Sequence, residues 1–275
     1  IIDYYLKMGE PLVAIRSSAT AEDLPTASFA GQQATFLNIK GESNVVNAVR
    51  RCYASLFEAR AIYYREQNKF DHFKVGIAVP VQQMVASHVS GIMFSIDPVT
   101  NDKTKIVIEA VYGLGENIVQ GQTTPDHYEV DKHSLEILKK EVVPQKEMMS
   151  REKKKDKVPK NLQTKRKLND EQIIKLARYA KQLENHYLHP QDTEWATDNK
   201  GQIYIVQTRP VTTTGTRKIE YKIEAVEKEF KKMKLLLTGA PASPGIATGP
   251  VINIKSAQEI NKVKQGDILV APETN

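Results

Sequence analysis

Apolar and polar positions change period several times along the chain, and each change predicts an element. Residues 12–16 form a short apolar run, expected as a buried strand, that leads directly into small polar residues at 17–23. From 44 to 67 the apolar residues Val45, Val46, Val49, Cys52, Tyr53, Leu56 and Phe57 recur at helical spacing, with Ser43 as the expected N-cap. Cys52 falls on that apolar face and is expected in a core. Runs at 75–85, 90–96 and 106–112 have strand length, and Gly91, Asp97-Pro98, Asn101-Asp102 and Gly113 punctuate them. Residues 127–131 alternate like a strand. Asn169-Asp170-Glu171-Gln172 predicts a helix start with Gln172 at the third helical position, and Ile173, Ile174, Leu176, Ala177, Ala180, Leu183 and Tyr187 mark one face of that helix. Residues 191–196 and 202–209 read as a hairpin around the polar connection 198–201.

The pattern therefore predicts an α+β lobe with a mixed or antiparallel sheet and helices over residues 1–211. Residues 212–234, Thr-rich and then charged with few large apolar anchors, read as a linker. Residues 235–275 open with the turn-rich Thr238-Gly239-Ala240-Pro241-Ala242-Ser243-Pro244-Gly245 and continue into strand-like stretches at 251–254 and 267–270, expected as the start of a second domain.

Composition narrows the class. With 275 residues, 40% of them hydrophobic, the chain can bury one large or two ordinary cores. No apolar run reaches the length of about 18 residues that a bilayer demands, so no membrane partner is expected. One cysteine excludes an intrachain disulfide and a cysteine-based metal cage, and a cytoplasmic location is expected. The chain begins without Met or a secretory signal, which predicts a piece of something longer. The net charge of +6 is concentrated at 151–167, where nine basic residues against two acidic ones give +7 and leave −1 for the rest. That run has no interleaved aromatics and no nucleic-acid-binding motif, so it is expected as a solvated loop, with no nucleic-acid partner.

Four segments offer chemistry. Arg16 to Gln33 combines an arginine with small residues whose amides could approach an anion, although it fits neither a Walker nor a dinucleotide pattern. On the late hairpin, alternation puts Asp192 with Glu194 on one face, and Gln207 with Arg209 on one face of the neighbouring strand. Two hard oxygen ligands beside a cation suit a magnesium-bound triphosphate; an exposed strand pair with a salt bridge reads the same way. Val81-Gln82-Gln83-Met84-Val85 could read an adenine edge or simply be an edge strand. Gly113-Leu114-Gly115-Glu116 is a glycine-flanked turn that could contact a ligand or merely connect. Among six histidines, only His186 and His189 come near metal-binding spacing, and both are expected at the surface.

Taken together the segments resemble the phosphoenolpyruvate synthases of the pyruvate phosphate dikinase (PEP-utilising) family, ATP-grasp enzymes. The likeness rests on Val13-Ala14-Ile15-Arg16-Ser17-Ser18-Ala19-Thr20-Ala21-Glu22-Asp23-Leu24-Pro25, Ser28-Phe29-Ala30-Gly31-Gln32, Gly91-Ile92-Met93-Phe94-Ser95, Tyr112-Gly113-Leu114-Gly115-Glu116, Asp192-Thr193-Glu194-Trp195, Ile205-Val206-Gln207-Thr208-Arg209-Pro210 and the Pro241-Ala242-Ser243-Pro244-Gly245 stretch. It covers essentially the whole chain. The resemblance implies an ATP-grasp nucleotide-binding lobe and the truncated start of a swivelling phosphohistidine domain.

It also implies roles. Arg16 resembles the arginine that grips the ATP phosphates, and Gly31 and Thr35 stand where the family's loop covers them. Gln82, with the backbone of Met84 and Val85, matches the adenine hinge. Glu194 and Gln207 resemble ligands of Mg2+, Asp192 is their neighbour, and Arg209 matches the arginine that meets the departing phosphoryl charge. The implied partners are ATP as substrate, pyruvate, and the phosphohistidine domain of the same chain, with a homodimer left open. The implied reaction turns ATP, pyruvate and water into AMP, phosphoenolpyruvate and phosphate through a phosphohistidine. The family's first subdomain, with a phosphate-binding lysine, would precede Ile1, and its histidine motif would follow Asn275. This chain alone is thus expected to be inactive. A rifampicin phosphotransferase, a pyruvate phosphate dikinase and a non-catalytic nucleotide-binding module are the alternatives.

Overall fold

The structure is a computed structural model that describes residues 1–20, 23–24, 27–28, 34–115, 118, 123–150, 155–211, 247–255 and 257–271. The chain divides into two compact units, Ile1–Gly215 and Thr216–Asn275. The first begins with α1 (Ile2–Lys7), β1 (Val13–Ile15), β2 (Ser18–Ala19), β3 (Asp23–Leu24), β4 (Ala27–Ser28) and β5 (Phe36–Ile39). Helices α2 (Glu42–Ala54) and α3 (Ala59–Gln67) follow, and then β6 (Ile77–Ala78), β7 (Val81–Gln83), β8 (Val89–Phe94) and β9 (Lys105–Tyr112). Next come β10 (Asp126–Asp131), β11 (Ile137–Glu141), β12 (Glu147–Met149), β13 (Lys155–Lys157), α4 (Asp170–Tyr187), β14 (Gln191–Thr197) and β15 (Ile203–Pro210).

Two antiparallel sheets organise this unit. The larger has the order β11-β10-β9-β8-β14-β15, and the smaller β5-β1-β7. One face of the larger sheet is core: Met93, Ile108, Tyr128 and Trp195 are buried there against Ile173, Leu176, Ala177 and Ala180 of α4. Each large apolar side chain so buried contributes roughly 1.5–3 kcal/mol, and the two alanines let the helix lie close. The start of α4 is a capping box: Asn169 Oδ1 accepts from the Gln172 amide (2.8 Å) and Gln172 Oε1 from the Asn169 amide (3.0 Å). On the smaller sheet, Val13 and Ile15 pack against Val45, Val49 and Cys52 of α2. Cys52 is thus a core residue, as its position on the apolar face implies.

Three expectations need correction. The helix expected over 44–67 is two helices joined by a 3-10 turn, Ser55–Phe57, and broken at Glu58, whose backbone is extended (ψ 150°). Its start is also earlier, because Gly41 at φ +88° and not Ser43 ends the preceding loop. The strand expected over 75–85 is interrupted at Pro80, which has no amide to donate; its carbonyl instead accepts from the Arg16 amide at 3.2 Å.

The third correction concerns the basic run. Its first residues, 151–154, lie outside those described. Lys155–Lys157 pairs with β12, however, and Val158 and Leu168 are buried. Lys167 is fully buried, 2.6 Å from the equally buried Asp126. Asp126 also accepts from Tyr128 Oη (2.7 Å) and from the amides of Val143 (2.9 Å) and Lys167 (3.0 Å), while Lys167 Nζ donates to the Val143 carbonyl (2.5 Å). A buried ion pair survives desolvation only when its remaining polar atoms are satisfied in this way. The end of the basic run is therefore anchored into the sheet rather than solvated.

In the second unit, β16 (Val251–Asn253) and β17 (Ile268–Val270) pair in parallel, joined through a 3-10 turn at Ala257–Lys262. Gly249 lies so near the Gly266 carbonyl that a side chain there would collide with it. The linker expected at 212–234 lies outside the described residues.

Candidate functional site

A cavity of about 520 Å³ opens between the two sheets of the first unit, with a wall from each. On β1 the side chains of Val13 and Ile15 go to the α2 core, so Ala14 between them faces the cavity. The next residue but one, Arg16, follows the strand end and also lines it. The opposite wall comes from the face of the larger sheet that α4 does not cover. Pairing register lines up Glu194 with Gln207 and with Ile92, and all three line the cavity.

At one end, three groups from distant segments converge. Arg16 Nη2 donates to Glu194 Oε2 at 3.0 Å and also to Gln207 Oε1. Two oxygens, a carboxylate and an amide, thus address one point from neighbouring strands. One step along the same hairpin, Asp192 pairs with Arg209: Asp192 Oδ2 accepts from Nε at 2.8 Å and forms an ion pair with Nη2 at 2.7 Å. Arg209 lines the cavity; Asp192 stands behind it, outside the lining.

At the other end lie β7 and the residues after it. Gln82 Nε2 donates to the Val206 carbonyl at 3.1 Å. The Met84 amide donates to the Leu12 carbonyl at 2.8 Å. Among the described residues, the Met84 carbonyl and the Val85 amide have no partner, and both residues line the cavity. Thr35 lines it as well, whereas Gly31 lies outside the described residues.

The glycine turn proves to be both connection and wall. Gly113 adopts φ +86°, and a side chain there would come within 2.5 Å of the Met149 carbonyl. Its own carbonyl accepts from Ser90 Oγ (2.6 Å) and Ser87 Oγ (2.8 Å), while Leu114 and Gly115 line the cavity. Sequence reasoning passed over Ser87, Ser90 and Ile205 as wall residues. Strand alternation is a signal for Ile205, but nothing local marks the two serines. His186 is exposed and His189 only half-buried, and among the described residues no group of three or more His, Cys, Asp or Glu is placed to hold a metal. No helix among those residues is long and apolar enough to cross a membrane.

Residues 1–230 match the family described as pyruvate phosphate dikinase, AMP/ATP-binding domain. A probable phosphoenolpyruvate synthase of Methanocaldococcus jannaschii is 47% identical over 284 residues, covering 100% of this chain and 24% of that protein. Another from Methanothermobacter thermautotrophicus is 50% identical, with coverages of 95% and 37%. The phosphoenolpyruvate synthase of Pyrococcus furiosus is 48% identical, with coverages of 97% and 33%. The chain thus spans well under half the length of these relatives. With more than four-fifths of its residues matched, this α+β chain belongs to the pyruvate phosphate dikinase AMP/ATP-binding domain family.

Proposed function

We propose that the cavity is the ATP site of an ATP-grasp lobe, and that the chain is the nucleotide-binding part of a cytoplasmic phosphoenolpyruvate synthase. The observation that carries this reading is the convergence of Arg16 on Glu194 and Gln207 at one end of a cavity whose other end offers unpartnered backbone groups. A nucleoside triphosphate needs both: a flat, hydrogen-bonding slot for the base and concentrated charge for the phosphates.

Glu194 and Gln207 fit a magnesium ion, since their two oxygens already face one cationic nitrogen and magnesium takes few protein ligands, completing its shell with phosphate and water. When bound, the ion would neutralise phosphate charge. Arg16 and Arg209 bind and orient the phosphate chain. Asp192 holds the Arg209 guanidinium by both its Nε and its Nη2, so that the cation is in place before charge develops. Thr35 faces the phosphates, while Gln82 and the Met84–Val85 backbone receive the base.

The roles assigned here require no nucleophile from the cavity, which suits transfer to a histidine of another domain. In the proposed reaction that histidine takes the β and γ phosphates and AMP leaves, water then cleaves the bond between those phosphates to release inorganic phosphate, and the phosphoryl group left on the histidine passes to pyruvate. A phosphorus NMR time course on the full-length protein with ATP, magnesium and pyruvate tests it. AMP, phosphate and phosphoenolpyruvate should appear together and vanish with Arg209→Ala. AMP formed only with rifampicin in place of pyruvate would overturn the acceptor, and no AMP with either would overturn the reading.

A further inference from the structure

The hairpin β14–β15 carries a bulge whose outward carbonyl reaches the opposite wall of the cavity. Glu194 pairs with Gln207 and Trp195 with Ile205, so Val206 is an extra residue between two paired positions. Its carbonyl accepts from Gln82, 124 positions earlier and on the other sheet. A carbonyl oxygen can only accept. The atom of the Gln82 amide that rests on it must therefore be Nε2, which settles which way round the amide lies. The other amide atom, Oε1, has no partner among the described residues, and Gln82 lines the cavity.

The polar groups open at this end then have a defined sense. Gln82 Oε1 and the Met84 carbonyl accept, and the Val85 amide donates. Had the amide been free to turn over, Gln82 could offer a donor as readily as an acceptor. The Val206 carbonyl removes that freedom.

We propose that the Val206 bulge is a positioning element that fixes Gln82 as an acceptor and thereby makes the cavity select a 6-aminopurine nucleotide over a 6-oxopurine one. The inference rests on the reading of this cavity as the nucleotide site. A 6-amino group has a hydrogen to give to Oε1, and the trans peptide between Met84 and Val85, whose carbonyl and amide point in opposite directions, turns only one of the two to the base. A 6-oxo group would set oxygen against the Oε1 oxygen, which has no hydrogen to give it. Unpaired buried polar groups of this kind give strong discrimination, because neither partner recovers its lost water.

The test is equilibrium binding of ATP and of ITP, which differs from it only at this edge, to the full-length protein and to Gln82→Leu and Gln82→Glu, each checked for folding by circular dichroism. The native protein should prefer ATP by on the order of 100-fold. In Gln82→Leu that preference should narrow about tenfold, through weaker ATP binding with ITP little changed. Gln82→Glu keeps the length and the acceptors but cannot donate to Val206, and it should narrow the preference as well. An equal loss of both nucleotides in Gln82→Leu would overturn base selection by Gln82. Full ATP preference in Gln82→Glu would overturn the role of the Val206 carbonyl. Failure of the native protein to bind either nucleotide would instead strike the reading of the cavity, and this inference with it.

Discussion

Arg16 Nη2 lies 3.0 Å from Glu194 Oε2, although the two residues are 178 positions apart and come from opposite walls of the cavity. The contact joins the walls of the cavity at the end where the phosphates are proposed to lie. A partly exposed pair contributes little to folding, about 0–1 kcal/mol, and here the two side chains are 16% and 35% exposed. Its value is positional: it holds a cation and an anion of the proposed phosphate site in a preformed arrangement.

Glu194→Gln should therefore separate function from stability. Denaturant unfolding should shift by no more than about 1 kcal/mol. ATP-dependent formation of AMP should fall on the order of 100-fold, the scale at which loss of one charge-stabilising group is felt. Comparable losses in both would mean that the residue is mainly structural.

The Lys167–Asp126 pair should behave in the opposite way. Both side chains are wholly buried, so Lys167→Met strands a carboxylate and should cost about 3–5 kcal/mol in chemical denaturation. The double variant Lys167→Met with Asp126→Asn removes the stranded charge and should recover part of that loss. A single variant that unfolds like the native protein would contradict the network described.

His127 provides a dependence on pH. It stands on the face of the larger sheet that also carries Glu194, 3.8 Å from Glu109 and 3.5 Å from Glu129, with Lys139 and Lys105 next to Glu129. Glu109 foremost, then Glu129, raises the pKa of the imidazole above its ordinary 6.5, against the opposing effects of burial and Lys139. The charged form is the stabilised one. Its contribution is full below pH 6.5 and is lost as pH rises through the higher folded-state pKa. Unfolding free energy measured across that window should show a fall that His127→Gln abolishes; an identical profile in the variant would rule the histidine out as its source.

Much of the site was readable along the chain, since alternation on the late hairpin already grouped Asp192 with Glu194 and Gln207 with Arg209, and the register brings the two pairs opposite each other. The helix α4 was equally legible, because its cap is a local interaction. What escaped was set by long-range contacts. Lys167 looks like one more solvated lysine until Asp126, 41 positions earlier, is seen beside it. Strands β11 and β13 carry mostly charged residues, Ile137–Glu141 and Lys155–Lys157, and show no apolar alternation to predict them. Pro80 and Glu58 broke elements whose hydrophobic pattern runs on without interruption. The bulge at Val206 leaves no sequence signal, because neither glycine nor proline marks it.

The most direct test of the proposed ATP site is a calorimetric titration of the full-length protein with ATP, with magnesium and with EDTA, repeated on the double variant Glu194→Ala with Gln207→Leu. If these two side chains hold the ion that accompanies the phosphates, magnesium should tighten ATP binding to the native protein and should leave binding to the variant unchanged. Magnesium tightening ATP binding equally in both proteins would contradict the account.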